Sequence, residues 1–236
     1  MMMFAILVLL YCHLVSCYIN PVIDSNNPDP SAIALPDGSG YLAVATSNHA
    51  NDPTSQDVFP IYYSSNMVDW ELRGHVFPAG QWPVWCANNM WAPEIHWVNG
   101  RFLAYFSCSE PNSRHSVGVA VPQNGDDPFG PYVDALGVPM IYHNEDSVLG
   151  CIDQHYFKDP KTGKDYITWK TDQLLPLKTS LVYIQEITSD GTAFKEGSYK
   201  VRILEANIEY ELCMNLKDKI CPSLVWLRWV PMRECG

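Results

Sequence analysis

An all-β fold of short antiparallel strands is what this sequence predicts, and three observations predict it. Proline, glycine and aromatics are plentiful, with 18 Pro, 14 Gly, 13 Tyr and 8 Trp in 236 residues, a composition that suits strands and turns better than helices. Apolar and aromatic runs of strand length alternate with glycine turns along most of the chain. Finally, an acidic residue introduces a strand, a glycine turn and an aromatic strand three times over. These acids are Asp29, Glu94 and Asp153, spaced by 65 and 59 residues.

The first unit opens at Asn27-Pro28-Asp29-Pro30-Ser31. Proline on both sides of Asp29 fixes backbone angles and removes donors, so the carboxylate sits on a stiffened corner at a strand entrance. Alone, the corner is an ordinary turn starter. Strands at 32–35 and 41–46 flank the turn 36–40, and two more follow around 61–64 and 70–76. The second unit opens at Trp91-Ala92-Pro93-Glu94, with strands at 95–98 and 101–107 joined by Asn99-Gly100, the strongest short hairpin signal. A further strand is expected at 116–121. The third unit opens at Cys151-Ile152-Asp153, with strands at 154–157, 165–170 and 181–187 and a turn at 159–163.

A repeated four-stranded sheet without intervening helices reads as the blades of a β-propeller. In that architecture the first strand of each blade lines the axis, so acids at equivalent strand starts converge on one pocket. An antiparallel sandwich is the alternative; it accounts for the strands but not for the recurrence of acids. The pattern stops near Asn207. Three blades fall short of the four or more that close a ring, so exposed sheet edges and apolar faces are expected.

Composition narrows the function. Fifteen Lys and Arg stand against 26 Asp and Glu, a formal charge of -11, and no basic run offers the footprint of a nucleic-acid binder. Neither a GxSxG elbow nor a glycine-rich phosphate loop occurs. The seven histidines (His13, His49, His75, His96, His115, His143 and His155) are scattered without an i, i+4 pair around a Glu, so they read as surface or strand residues and not as a metal site. Residues 1–17, MMMFAILVLLYCHLVSC, are too short to span a membrane, which takes about 20 apolar residues. They read as a secretory leader cut before Tyr18, with a buried N-terminal strand as the alternative. Of eight cysteines, Cys12 and Cys17 would leave with the leader, and Cys86, Cys108, Cys151, Cys213, Cys221 and Cys235 would remain. No CxxC pair suggests zinc. In an oxidising compartment Cys86 and Cys108 could pair, although sequence leaves connectivity open.

Taken in order, four stretches resemble glycoside hydrolase family 43, five-bladed propeller enzymes that cleave arabinosides and xylosides. They are Asn27-Pro28-Asp29-Pro30-Ser31; Tyr63-Ser64-Ser65-Asn66-Met67-Val68-Asp69-Trp70-Glu71; Met90-Trp91-Ala92-Pro93-Glu94-Ile95-His96 with Asn99-Gly100-Arg101-Phe102; and Ile152-Asp153 with Phe157 and Asp159. The resemblance covers roughly residues 20–207. It implies a secreted enzyme with a partial propeller at 18–207, between the leader 1–17 and a divergent tail 208–236. It implies hydrolysis by inversion, with a carboxylate base that activates water and a carboxylic acid that protonates the leaving oxygen. Asp29 would be the base. Asp153 would be a third carboxylate that orients the acid and raises its pKa by like-charge proximity. Trp91, Glu94, Asn27 and Gln154 would shape the sugar pocket, with core packing the alternative for Trp91.

The resemblance places the acid on a Glu before a small residue and a proline at the start of the fourth blade. The nearest match, Cys221-Pro222-Ser223, puts Ile220 in that place, and neither Glu209, Glu211 nor Asp218 fits the motif. The expected partner is an oligo- or polysaccharide containing arabinose or xylose, with no nucleic acid and no membrane once the leader is removed. No cofactor is expected; the structural calcium some members hold near a last-blade histidine finds no support here. Two alternatives stand beside this reading. One is a non-catalytic carbohydrate-binding remnant. The other resembles the retaining β-fructosidases, which share the acidic corner but carry Arg-Asp-Pro where Ile152-Asp153-Gln154 stands here.

Overall fold

A computed structural model of the chain describes residues 20–47, 52–142, 150–171 and 180–205. The expected leader and tail lie outside the described residues. So do Ile220, Glu209, Glu211, Asp218, five of the eight cysteines, and His13, His49 and His143.

The described residues form β1 (Ser31–Ala34), β2 (Tyr41–Val44), β3 (Val58–Ser64), β4 (Glu71–Phe77), β5 (Asn88–Val98), β6 (Arg101–Ser109), β7 (His115–Pro122), β8 (Tyr132–Asp134), β9 (Cys151–Lys158), β10 (Asp165–Thr171), β11 (Leu181–Glu186) and β12 (Val201–Glu205). They make three four-stranded antiparallel sheets in simple chain order, β1 to β4, β5 to β8 and β9 to β12, with no helix among the described residues. The first strands are neighbours, β1 against β5 and β5 against β9. These are three propeller blades side by side, as the repeat predicts.

Local chemistry explains the hairpins. Asn99 and Gly100 both take positive φ, 46° and 102°, the conformation a two-residue hairpin needs to match strand twist. In blade 1, Asp37 Oδ1 accepts the Ser39 N–H at 2.9 Å, and a Cβ on Gly40 would lie 2.5 Å from the Ser64 carbonyl, so only glycine fits there. Asp159 repeats the Asp37 device in blade 3, accepting the Lys161 N–H at 2.9 Å. The Asn66-to-Trp70 motif is likewise a turn: Asn66 Oδ1 accepts the N–H groups of Val68 and Asp69, both at 2.9 Å, and Trp70 donates its indole N–H to the Met67 carbonyl.

Three strands differ from the sequence expectation. β8 and β12, three and five residues long, were not foreseen, as runs this short give little alternation to read. β5 begins at Asn88 instead of 95, because register shifts between Asn88 and Trp91 and between Trp91 and Glu94 carry the strand through Pro93, a bulge being where a sheet tolerates proline. In β12, Val201, Ile203 and Leu204 are exposed.

Two apolar clusters fill the seams between blades. The first joins blades 1 and 2 through Phe59, Phe77, Trp85 and Phe106. The second joins blades 2 and 3 through Leu103, Tyr105, Tyr156, Ile167 and Trp169. Cys86 and Cys108 form a disulfide inside the first cluster, and Cys151 is a buried thiol.

Candidate active site

Besides Asn89 (φ 53°) near the start of β5, a left-handed residue stands at a matching place as each blade begins: Asp29 at φ 49°, two residues before β1, Ala92 at φ 44° in β5 and Asp153 at φ 53° in β9. All three stand six residues before the position that closes the hairpin, Leu35, Val98 and Asp159. A non-glycine residue in the left-handed region costs on the order of 1–3 kcal/mol and persists only where its surroundings enforce it. The kink aligns the blades independently of residue type, and it corrects the sequence reading. The blade-2 counterpart of Asp29 and Asp153 is Ala92; Glu94 lies two residues nearer the turn. The sequence reading missed this because it matched acid to acid, whereas the count back from each turn is the same six residues in all three blades.

Thr46 holds the first kink. Its buried hydroxyl donates to Asp29 Oδ2 at 2.9 Å and accepts the Ala92 N–H at 2.8 Å, while its own N–H donates to the Pro28 carbonyl at 2.9 Å. One residue thus fixes Asp29 in orientation and ties it to blade 2. From Ala92 the chain of bonds continues. Its carbonyl accepts Gln154 Nε2 at 2.5 Å, and Gln154 Oε1 accepts the Ser107 hydroxyl at 2.7 Å. Gln154 is 1% exposed, so its side chain fastens blade 3 to blade 2. Hydrogen bonds therefore run from Asp29 to the neighbour of Asp153 across both seams.

Asp153 is held differently. Lys170 Nζ stands 2.7 Å from Asp153 Oδ2, both side chains being partly exposed. Asn27, half-buried, accepts the Tyr62 hydroxyl at 3.1 Å and donates to Ser25 Oγ at 2.5 Å. Trp91, also half-buried, stacks on His115 with centroids 4.2 Å apart, and His115 Nε2 lies 3.0 Å from Ser109 Oγ.

Glu94 gathers two of the scattered histidines. Its Oε2 lies 2.8 Å from His96 Nε2 and 2.9 Å from His155 Nδ1. Burial pushes the Glu94 carboxyl up, but hydrogen bonds from His155 and His96 outweigh it and hold the group below its usual value. The hydrogen bond to Glu94 holds His155 above its usual value.

Sequence reasoning missed Thr46 and Lys170, although a signal exists. In an antiparallel hairpin the end of the second strand lies beside the start of the first. The pairings Ser31 with Val44 and Ile152 with Lys170 bring Thr46 and Lys170 back to the two kinks.

Three four-stranded antiparallel blades with neighbouring first strands define a class, the β-propellers. Within it, the chain belongs to family 43 of the glycosyl hydrolases, whose sequence pattern it matches over residues 18–214. It is 30% identical over 145 residues to a probable arabinan endo-1,5-α-L-arabinosidase D of Emericella nidulans, a match covering 56% of this chain and 38% of that protein. With the arabinoxylan arabinofuranohydrolase of Paenibacillus polymyxa it shares 27% identity over 156 residues, 56% of this chain and 23% of that protein. Among solved structures, a thermostable family-43 glycoside hydrolase superposes with a TM-score of 0.66 at 24% identity, covering 84% of this chain and 60% of that one. The endo-arabinase of Bacteroides thetaiotaomicron gives 0.63 at 18%, covering 81% and 60%. The chain thus spans well under half the length of these curated relatives and about three fifths of these solved chains.

Proposed function

We propose that this chain is a secreted glycosidase that cleaves arabinose- or xylose-containing glycans with inversion. The observation that carries the reading is the placement of Asp29 and Asp153 on matching kinks of two first strands, joined through Thr46, Ala92 and Gln154. Asp29, turned by the Thr46 hydroxyl, takes a proton from water as the water oxygen bonds to the anomeric carbon. The glycosidic C–O bond breaks, and a carboxylic acid gives its proton to the leaving oxygen. Inversion needs these two carboxyl groups roughly 6.5–9.5 Å apart, leaving room for the water. Asp153 acts on the acid, and Lys170 beside it tempers the field it exerts. Trp91 and Asn27 border the sugar. The names of the relatives support the substrate class, and the Cys86–Cys108 disulfide and the leader pattern support an oxidising, extracellular location.

Proton NMR of an aryl α-L-arabinofuranoside or β-D-xyloside digest tests this. The first sugar released carries inverted anomeric configuration; retention would overturn the mechanism and favour the β-fructosidase-like alternative. A second reading, a non-catalytic glycan-binding chain, is favoured by Ile220 standing where the acid's motif falls. It predicts calorimetric binding of arabino- or xylo-oligosaccharides with no product.

A further inference from the structure

Glu94 and His96 stand two residues apart in β5, and His155 reaches them from β9 in the next blade. Their ligating atoms, Glu94 Oε2, His96 Nε2 and His155 Nδ1, lie within 4.8 Å of one another. The side chains of His96 and Glu94 are 14% and 20% exposed, while that of His155 is 56% exposed. The site is therefore walled on one side and open on the other. The His96 ring is boxed by Tyr156 at 5.2 Å and Tyr105 at 6.3 Å, and it meets the His155 ring edge-on at 5.5 Å, so one of the two imidazoles is fixed before any ligand arrives.

Two imidazole nitrogens and one carboxylate oxygen, with a position open to solvent, are the donor set of zinc-type ions. Calcium and magnesium demand six or more oxygens. The contacts of 2.8 and 2.9 Å are close to the roughly 3.4 Å between ligands set tetrahedrally about 2.1 Å from such an ion. An opening of about half an ångström in both contacts, by the Glu94 carboxylate against the boxed His96 and by the exposed His155, would admit it. We propose that Glu94, His96 and His155 bind one divalent ion of the Zn2+ type, which staples blade 2 to blade 3. The role of the ion is to hold the seam, two residues along β5 and β9 from Ala92 and Asp153. Sequence spacing hides the site because Glu94 and His155 are 61 residues apart.

The test uses the full chain, free of any histidine tag and stripped with chelator. Titrating ZnCl2 by calorimetry should give one site with a dissociation constant of micromolar or lower. Melting temperature should rise by about 5–10 °C at a hundredfold excess over that constant. His155→Gln, an exposed change that spares the core, should weaken binding at least tenfold and remove the shift, whereas His75→Gln should leave both intact. Absence of heat and of a thermal shift up to millimolar zinc would overturn the proposal and leave a hydrogen-bonded carboxylate–imidazole cluster. Undiminished binding by the His155→Gln protein would overturn it equally.

Discussion

The two seams between blades are built on different principles. Between blades 1 and 2, Phe106 is fully buried among Phe77, Trp85 and Phe59, with centroids 5.0, 5.8 and 6.0 Å away, beside the Cys86–Cys108 disulfide. Thr46 crosses that seam at the kink. Between blades 2 and 3 the apolar cluster is threaded by polar bonds. Tyr105 donates its hydroxyl to the Gly191 carbonyl at 2.8 Å. Asn99 donates to Asp165 Oδ2 at 2.9 Å and to the Ser189 carbonyl at 2.8 Å, and Arg101 faces Asp190. Apart from the one uncharged hydrogen bond of Thr46, non-directional burial holds the first seam, so it should tolerate changes of pH and salt. Directional, partly ionic bonds set the register of the second and make it responsive to both. Asp29 is tied across the first seam through Thr46, and the neighbour of Asp153, Gln154, crosses the second.

This contrast can be broken from either side. Phe106→Ala should cost about 4 kcal/mol, as a large ring removed from a closed core leaves a cavity; urea unfolding followed by tryptophan fluorescence would show it. Reduction of the disulfide, which closes a 22-residue separation, should cost about 3 kcal/mol, read as a lower denaturation midpoint in dithiothreitol. At the second seam, Gln154→Leu should cost about 2 kcal/mol by leaving the Ala92 carbonyl and the Ser107 hydroxyl unpaired. A Gln154→Leu protein as stable as the parent would show that this seam rests on its apolar cluster alone.

The smallest effect is on pH. The Thr188 hydroxyl, aided by Thr192 and Arg101, holds the Asp190 carboxyl below its usual value. A lowered folded pKa contributes stability above the unfolded value of about 3.9 and loses it as pH falls through the folded value. The midpoint difference between wild type and Asp190→Asn should therefore be present at pH 6 and shrink below about pH 4. Because the pair is exposed, that difference should stay within about 1 kcal/mol.

Local features were legible in the sequence. Asn99-Gly100 announces its hairpin because left-handed φ is a property of those two residues, and the Asp37 and Asp159 turns rest on bonds within a few positions. The blade repeat followed from the same punctuation. The kink at Ala92 was not read because no acid marks it, although it stands the same six residues before its turn as Asp29 and Asp153 do. Nor was the cluster of Glu94, His96 and His155, since contact across a seam depends on how blades stack. β12 escaped notice because a five-residue run is too short for its alternation to stand out.

The central claim is that Asp29 is the base of a family 43 glycosidase. The most direct measurement is release of 4-nitrophenol from the aryl α-L-arabinofuranoside and β-D-xyloside by wild-type, Asp29→Ala and Asp29→Asn chains. Turnover of at least one substrate should fall by on the order of 10²–10⁴-fold in kcat in both variants, with KM little changed. Turnover by wild type that persists in Asp29→Ala, or no turnover by wild type on either substrate, would contradict it.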